Sequence, residues 1–252
     1  MEAPGTFFAP GMGVRVPSWP APGKGGFEMT TKRYLIPAAL AVFGLMFGAA
    51  ALAQHTEIPP KAMFWVEKQV VPLEDFPAKG LILDIGGGGA GVIGRLKGAQ
   101  VVAVDLNKQE LVDAPGEPLI KIVMDARDLK FLDGTFPTAT VFFTFMYITP
   151  ADHEKVLQEI HRVLAPGGRL LIWDVFYPKV EDTAKTHVVY PVNVKLPGRE
   201  INTGYGARLQ PSELGLPHFE ELAKKTGFEV VGGKRTQSWF FLEVTKPAAP
   251  VK

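Results

Sequence analysis

The stretch LILDIGGGGAGVIGRL, residues 81–96, narrows the choice of fold more than any other part of the chain. Leu81-Ile82-Leu83 is short, apolar and bounded by turn residues, as a buried parallel strand is. Gly86 to Gly89 follow without interruption. With no Cβ in the way, such a run turns sharply and brings backbone N–H groups against a ligand. Val92, Ile93 and Leu96 then fall at spacings that suit a helix packed on a sheet. Strand, glycine turn and helix occur together in several unrelated ligand-binding folds, so the rest of the chain must say what the turn holds.

Beyond the turn the pattern alternates. Strands are expected at 81–85, 100–105, 119–124, 139–145 and 169–174, with two more near 228–233 and 237–245. Helices are expected across KAMFWVEKQVV (residues 61–71), 90–97, from Asn107, 151–164 and 212–226. This implies an α/β fold: a doubly wound, mainly parallel, seven-stranded Rossmann-like sheet with helices on both faces. The pattern breaks between Val175 and Gln210 into β-branched segments punctuated by Pro and Gly, read as an inserted hairpin or lid, the insertion 175–210. In APGG (165–168), Gly167 and Gly168 are expected to stop a helix and aim the next strand.

At 252 residues, 46% hydrophobic, the chain is long enough to bury a sizeable core. A net charge of +1 offers no general attraction to nucleic acid. The absence of cysteine excludes disulfides, thiolate metal sites and cysteine nucleophiles. Residues 1–28 hold five prolines and six glycines with no apolar period, and are expected to be a disordered extension. Residues 29–53 read as a signal peptide or a membrane anchor. Lys32 and Arg33 precede an apolar run, and Ala51-Leu52-Ala53 resembles a cleavage site. The uncharged run Tyr34–Ala53 would reach ~30 Å as a helix, enough for membrane association. The functional domain is placed at 54–252.

Three ligands compete for the glycine turn. A phosphate loop of the form G-x-x-x-x-G-K-[ST] fails, because Arg95-Leu96 follow Gly94. A dinucleotide fingerprint is met by Gly86, Gly88 and Gly91 with Asp105 downstream, which keeps an NAD-dependent oxidoreductase open as an alternative. The third uses more of the chain. Asp84 stands just before the glycines, Asp105 ends the second strand and Asp125 follows the third, so three carboxylates would converge on one crevice at the strand ends. Such a rim repels a pyrophosphate and welcomes a ribose and a cation.

Together with FLDGTFPTATVFFTF and EKVLQEIHRVLAPGGRLLIWDV, this series resembles the class I S-adenosylmethionine-dependent methyltransferases, in their small-molecule branch, over roughly residues 75–245. The resemblance implies S-adenosylmethionine as cofactor and methyl transfer to a small-molecule acceptor by in-line displacement. It implies that Gly86 and Gly88 pass beneath the methionine part, with Asp84 as the acidic residue of that motif. Asp105 would accept from the ribose, and Asp125 with Ala126 would contact the adenine. The family's third glycine position is Ala90 here, and Gly91 is placed to supply the close helix approach.

On the acceptor side, Tyr147, Asp174, Tyr177 and His187 are the candidates, and no catalytic base stands out. His153 and His161 are two helical turns apart and are expected to be structural or surface residues; no metal site is expected. The insertion would fold over the cofactor's methyl group, its Tyr190 and Tyr205 offering apolar faces with polar tips. An exported, non-catalytic ligand-binding module of the same fold is a further alternative. The N-terminal segment places the domain outside the cytoplasm or anchored in a membrane, whereas the cofactor is made inside, so a cytoplasmic-face location is the rival.

Overall fold

The computed structural model describes residues 7–9, 14–16, 58–115, 118, 120–210 and 214–249. Its first strands are β1 (Phe7–Ala9), β2 (Val14–Val16), β3 (Met63–Trp65), β4 (Gln69–Pro72), β5 (Ile82–Ile85), β6 (Val101–Asp105) and β7 (Ile120–Val123). After them come β8 (Phe136–Phe142), β9 (Leu164–Val175), β10 (His187–Leu196), β11 (Arg199–Arg208), β12 (Glu229–Arg235) and β13 (Trp239–Thr245). The helices are α1 (Val92–Lys97), α2 (Lys108–Asp113), α3 (Pro150–Val163) and α4 (Leu216–Lys225).

Seven strands form one sheet in the order β12-β13-β9-β8-β5-β6-β7. Its β9-β8-β5-β6-β7 part is parallel, while β13 runs antiparallel to both β9 and β12. The chain therefore starts in the middle at β5, winds outward to β7 and returns through β8. Ligands of such a sheet lie beyond the strand carboxyl ends where the winding reverses, here between β5 and β8.

Successive residues of a strand face opposite sides, and two cores result. Leu83, Ile85, Val102 and Val104 pack with Val156, Leu157, Ile160 and Val163 of α3 and with Phe219 and Ala223 of α4. The buried positions of α3 fall on one helical stripe. On the other face Ile82, Val101, Ala103 and Trp173 meet Val92 and Ile93 of α1 and Leu111 of α2. That face carries a layer the sequence reading did not contain. Strands β11, β10 and β3 form a second sheet, with β4 also paired to β10, and Val188, Tyr190, Val192 and Val194 of β10 are buried.

The helix expected over residues 61–71 is thus replaced by β3 and β4, which run parallel to β10. Phe64, Val70 and Val71 are good strand formers, and the partner they need lies more than a hundred residues away. Trp65 is 42% exposed. Pro191 sits inside β10 but has no N–H to give; it falls in the interval between the β3 pairing, which ends at Val189, and the β4 pairing, which starts at Val192. The insertion is a hairpin, β10 with β11, but a structural layer and not a hinged lid: Gly204 and Gly206 are paired with Pro191 and Val189.

Within residues 1–28, expected to lack structure, β1 and β2 form a short antiparallel pair flanking Pro10-Gly11. Phe7, Phe8, Val14 and Val16 are residue types that favour strands. The remainder of that extension and all of residues 29–53 lie outside the described residues. No helix among the described residues is long and apolar enough to cross a membrane.

Candidate functional site

The carboxyl ends of β5, β6, β7 and β8 open on one cavity of about 600 Å³, within the range of small-molecule sites. Asp84, Gly86, Gly88, Asp105, Asp125 and Ala126 all line it. The glycine turn leaves β5 at Gly86, whose φ of 72° is left-handed and whose missing Cβ leaves room for Thr144. It enters α1 through Gly91, also left-handed at φ 57°, where a Cβ would collide with Pro115 O. Gly91, beside Ala90, therefore leaves room for the segment that follows α2.

Asp105 is held from two sides: Gly88 N donates to its Oδ2 at 3.3 Å and Asn107 N to its Oδ1 at 2.8 Å. Asn107 in turn caps α2, accepting from Gln109 N at 2.9 Å. Asp84 is 3% exposed and accepts from Thr140 Oγ1 at 2.8 Å. Burial, with a smaller contribution from Asp105, pushes its carboxyl up to about 7. Glu110, on the helix that backs the turn, is 7% exposed and pushed up to about 7 by burial, then by Asp105 and Asp113. Asp125 is different: the hydrogen-bonded guanidinium of Arg127 holds it below the usual carboxylate range.

The wall beyond the turn is aromatic. Phe142, Phe143, Tyr147 and Tyr205 line it together with Val92 and Ile93. Phe143 is the one described residue other than glycine with a positive φ, at 52°. A bulky residue there costs energy that the surroundings must hold in place. Tyr205 stacks on its ring and Phe143 N donates to Trp173 O at 2.8 Å. At the other end of the cavity Leu106 is 66% exposed, an apolar side chain suited to the face of a flat base.

Residues 83–172 match the family described as "Methyltransferase domain". The demethylmenaquinone methyltransferase of Thermus thermophilus is 37% identical over 117 residues, covering 43% of this chain and 52% of that one. The ubiquinone/menaquinone biosynthesis C-methyltransferase UbiE of Klebsiella pneumoniae is 37% identical over 70 residues, covering 28% and 27%. The matches therefore span about half of the first relative's length and about a quarter of the second's. Among solved structures, an S-adenosylmethionine-dependent methyltransferase from Mesorhizobium loti superposes with a TM-score of 0.49 at 14% identity, covering 68% of this chain and 94% of that one.

Residues 83–172 are a methyltransferase domain.

The residues present fit S-adenosylmethionine, the cofactor that the sequence resemblance implies. Asp105 offers fixed carboxylate oxygens to ribose hydroxyls, and the wall near the glycine turn carries the carboxylate of Asp84 against a cationic ligand. Arg127, the cation beside Asp125, is engaged by Asp125 and Asp152. Neither the oxidoreductase nor the non-catalytic module finds support in the comparisons.

Of the four acceptor-side candidates, only Tyr147 reaches the cavity wall. Its hydroxyl is buried without a hydrogen-bond partner among the described residues. Asp174 is 2% exposed and accepts from three backbone amides, Phe145 N at 2.7 Å, Val175 N at 2.8 Å and Thr144 N at 3.1 Å. It holds the turn after β8, and burial pushes its carboxyl up to about 7. Tyr177 donates to Met146 O at 2.7 Å, and His187 lies 2.8 Å from Thr186 Oγ1. His153 is buried, its Nε2 against Ile148 O at 3.0 Å and its Nδ1 3.1 Å from His218 Nε2.

Sequence reasoning missed Phe143, Leu106, Arg127 and Asp152 as wall residues. Leu106 had a local signal, an apolar residue directly after the acid that ends a strand. Phe143 had none, since a left-handed aromatic is decided by its surroundings.

Proposed function

We propose that this chain transfers a methyl group from S-adenosylmethionine to a small, largely apolar acceptor, with a quinone-type ring as the first candidate. One observation carries the reading. Asp84, Asp105 and Asp125 share a single cavity whose continuation is walled by Phe143, Tyr147 and Tyr205. The names of the relatives from Thermus thermophilus and Klebsiella pneumoniae support a quinone as acceptor.

S-adenosylmethionine supplies a methyl group on a positively charged sulfur. The chain's own residues bind and orient. Asp105 and Asp125 hold the nucleoside end, and the glycine turn with Asp84 holds the amino-acid end. Phe142, Phe143, Val92 and Ile93 keep water from the acceptor side. Alignment of this kind is worth ~7–11 kcal/mol of barrier, so a dedicated base is needed only for an acceptor that must lose a proton. The unpartnered hydroxyl of Tyr147 is available to bond a polar group on the acceptor.

The same proposal includes location. The uncharged run Tyr34–Ala53 would hold the domain at a bilayer, where apolar acceptors partition, and membrane fractionation of the full chain tests this. The activity itself is tested with methyl-labelled cofactor against demethylmenaquinone in its reduced form, simple phenols and thiols. Label in a ring product supports the reading. Cofactor binding with no transfer to any of these acceptors would leave only a ligand-binding module.

A further inference from the structure

The end of the cavity away from the glycine turn is closed by charge. Arg127 follows β7, and Asp152 sits in the first turn of α3; both line the cavity, as do Asp125 and Thr149. Arg127 Nη2 donates to Asp125 Oδ2 at 2.7 Å, and Nε reaches Asp125 Oδ1 at 3.0 Å and Oδ2 at 3.1 Å. The Arg127 backbone N donates to the same Oδ1 at 2.9 Å. On its other side Nη1 donates to Asp152 Oδ2 at 3.0 Å, an oxygen that also accepts from Thr149 Oγ1 at 2.8 Å. One guanidinium thus ties two separate wall segments together.

A carboxylate has about four lone-pair positions. At Asp125, Oδ1 accepts from the Arg127 backbone N and Oδ2 from Nη2, while the single Nε hydrogen is shared between the two oxygens, so three hydrogens serve the four positions. The fork therefore keeps Asp125 ionised, locks its plane and leaves one acceptor position. With a ribose at Asp105 and the amino-acid part at the glycine turn, the base of the cofactor must lie toward Leu106, Met124 and Asp125. An exocyclic amine is the group on that base that can donate to a remaining carboxylate lone pair.

We propose that Arg127, clasped between Asp125 and Asp152, is a positioning residue that sets selectivity for a 6-amino purine at this end of the cavity. The proposal rests on the S-adenosylmethionine reading and deepens it. Lysine could not replace it, because only a planar fork addresses both carboxylates at once. Half-exposed ion pairs are individually weak, so the effect of breaking the clasp is expected to be modest.

The test is calorimetric binding of S-adenosylhomocysteine and of its purine analogue lacking the 6-amino group, using the full chain. Arg127→Met is expected to weaken the amino ligand roughly fivefold, the scale of a half-exposed ion pair, and to leave the deamino ligand unchanged. Arg127→Lys should behave like Arg127→Met, and Asp152→Asn should give part of the loss. In an Asp125→Asn background, Arg127→Met should have no further effect. Equal losses for both ligands, or a loss that persists without the Asp125 carboxylate, would overturn the proposal, since either marks general loosening of the wall. Failure of the unmodified chain to bind either ligand would instead overturn the cofactor reading beneath it. Because Arg127 is exposed, all variants are expected to melt with the parent, which thermal unfolding checks.

Discussion

Tyr205 of the inserted hairpin lies stacked on Phe143, ring centroids 4.9 Å apart and planes at 15°. The stack joins the second sheet to the one left-handed aromatic in the cavity wall, so the hairpin supports the site from behind. Tyr205→Ala is expected to lower the unfolding free energy by about 3–5 kcal/mol, as for other large aromatic truncations, and Tyr205→Phe by less than about 1 kcal/mol. Urea denaturation measures both. Replacing residues 180–205 by a flexible linker should abolish cooperative unfolding, because it uncovers Trp173 and Val71.

Asp174 is expected to matter for stability and not for contact with substrate. Asp174→Ala leaves the amides of Thr144, Phe145 and Val175 without their acceptor, at a cost of about 1–3 kcal/mol for each one that stays buried. Asp174→Asn, which keeps one carbonyl oxygen, should lose less. If Asp174→Ala melts like the parent and only turnover falls, this assignment fails.

The buried carboxyls give stability a definite pH dependence. Asp84 and Asp174 are both pushed up to about 7, so the folded protein binds protons that the unfolded chain releases. Their contribution is complete below the unfolded carboxyl range of about 4 and is lost as pH rises through about 7, at on the order of 1 kcal/mol per pH unit for each group. Burial lowers His153 and drives the opposite trend. The diagnostic is therefore the difference between parent and Asp84→Asn at pH 5 and pH 8. The parent's relative advantage should shrink on going from pH 5 to pH 8.

A cationic ligand should feel the same groups. Asp84 and Glu110 favour a sulfonium only when ionised, so affinity for S-adenosylmethionine relative to the uncharged thioether S-adenosylhomocysteine should rise as pH passes through about 7. Binding of the sulfonium should then release protons, visible as a buffer-dependent enthalpy in calorimetry. A ratio of affinities that stays flat from pH 6 to pH 8 would remove both carboxyls from the electrostatics of the site.

Tyr147→Phe separates a structural hydroxyl from a working one. Removing a buried hydroxyl with no partner should leave stability unchanged or raise it by up to about 1 kcal/mol. Methyl transfer should slow at unchanged cofactor affinity, read from labelled-product rates beside calorimetry. Unchanged transfer would make the ring only a wall.

The sequence by itself determined the strand–turn–helix at residues 81–96, the seven-stranded alternation and the carboxylates at three strand ends. These are local features: side-chain period, turn chemistry and the rule that parallel strands end on one side need no distant partner. Tertiary structure decided the rest. Residues 61–71 became strands because β10 offered them an edge, a pairing that no local propensity contains. Asp174, identified at a strand end like Asp84 and Asp105, was drawn under the turn after β8, where backbone amides outcompeted the cavity for its oxygens. Phe143, Tyr205, Arg127 and Asp152 come from four separate segments, and their common wall exists only where packing brings those segments together.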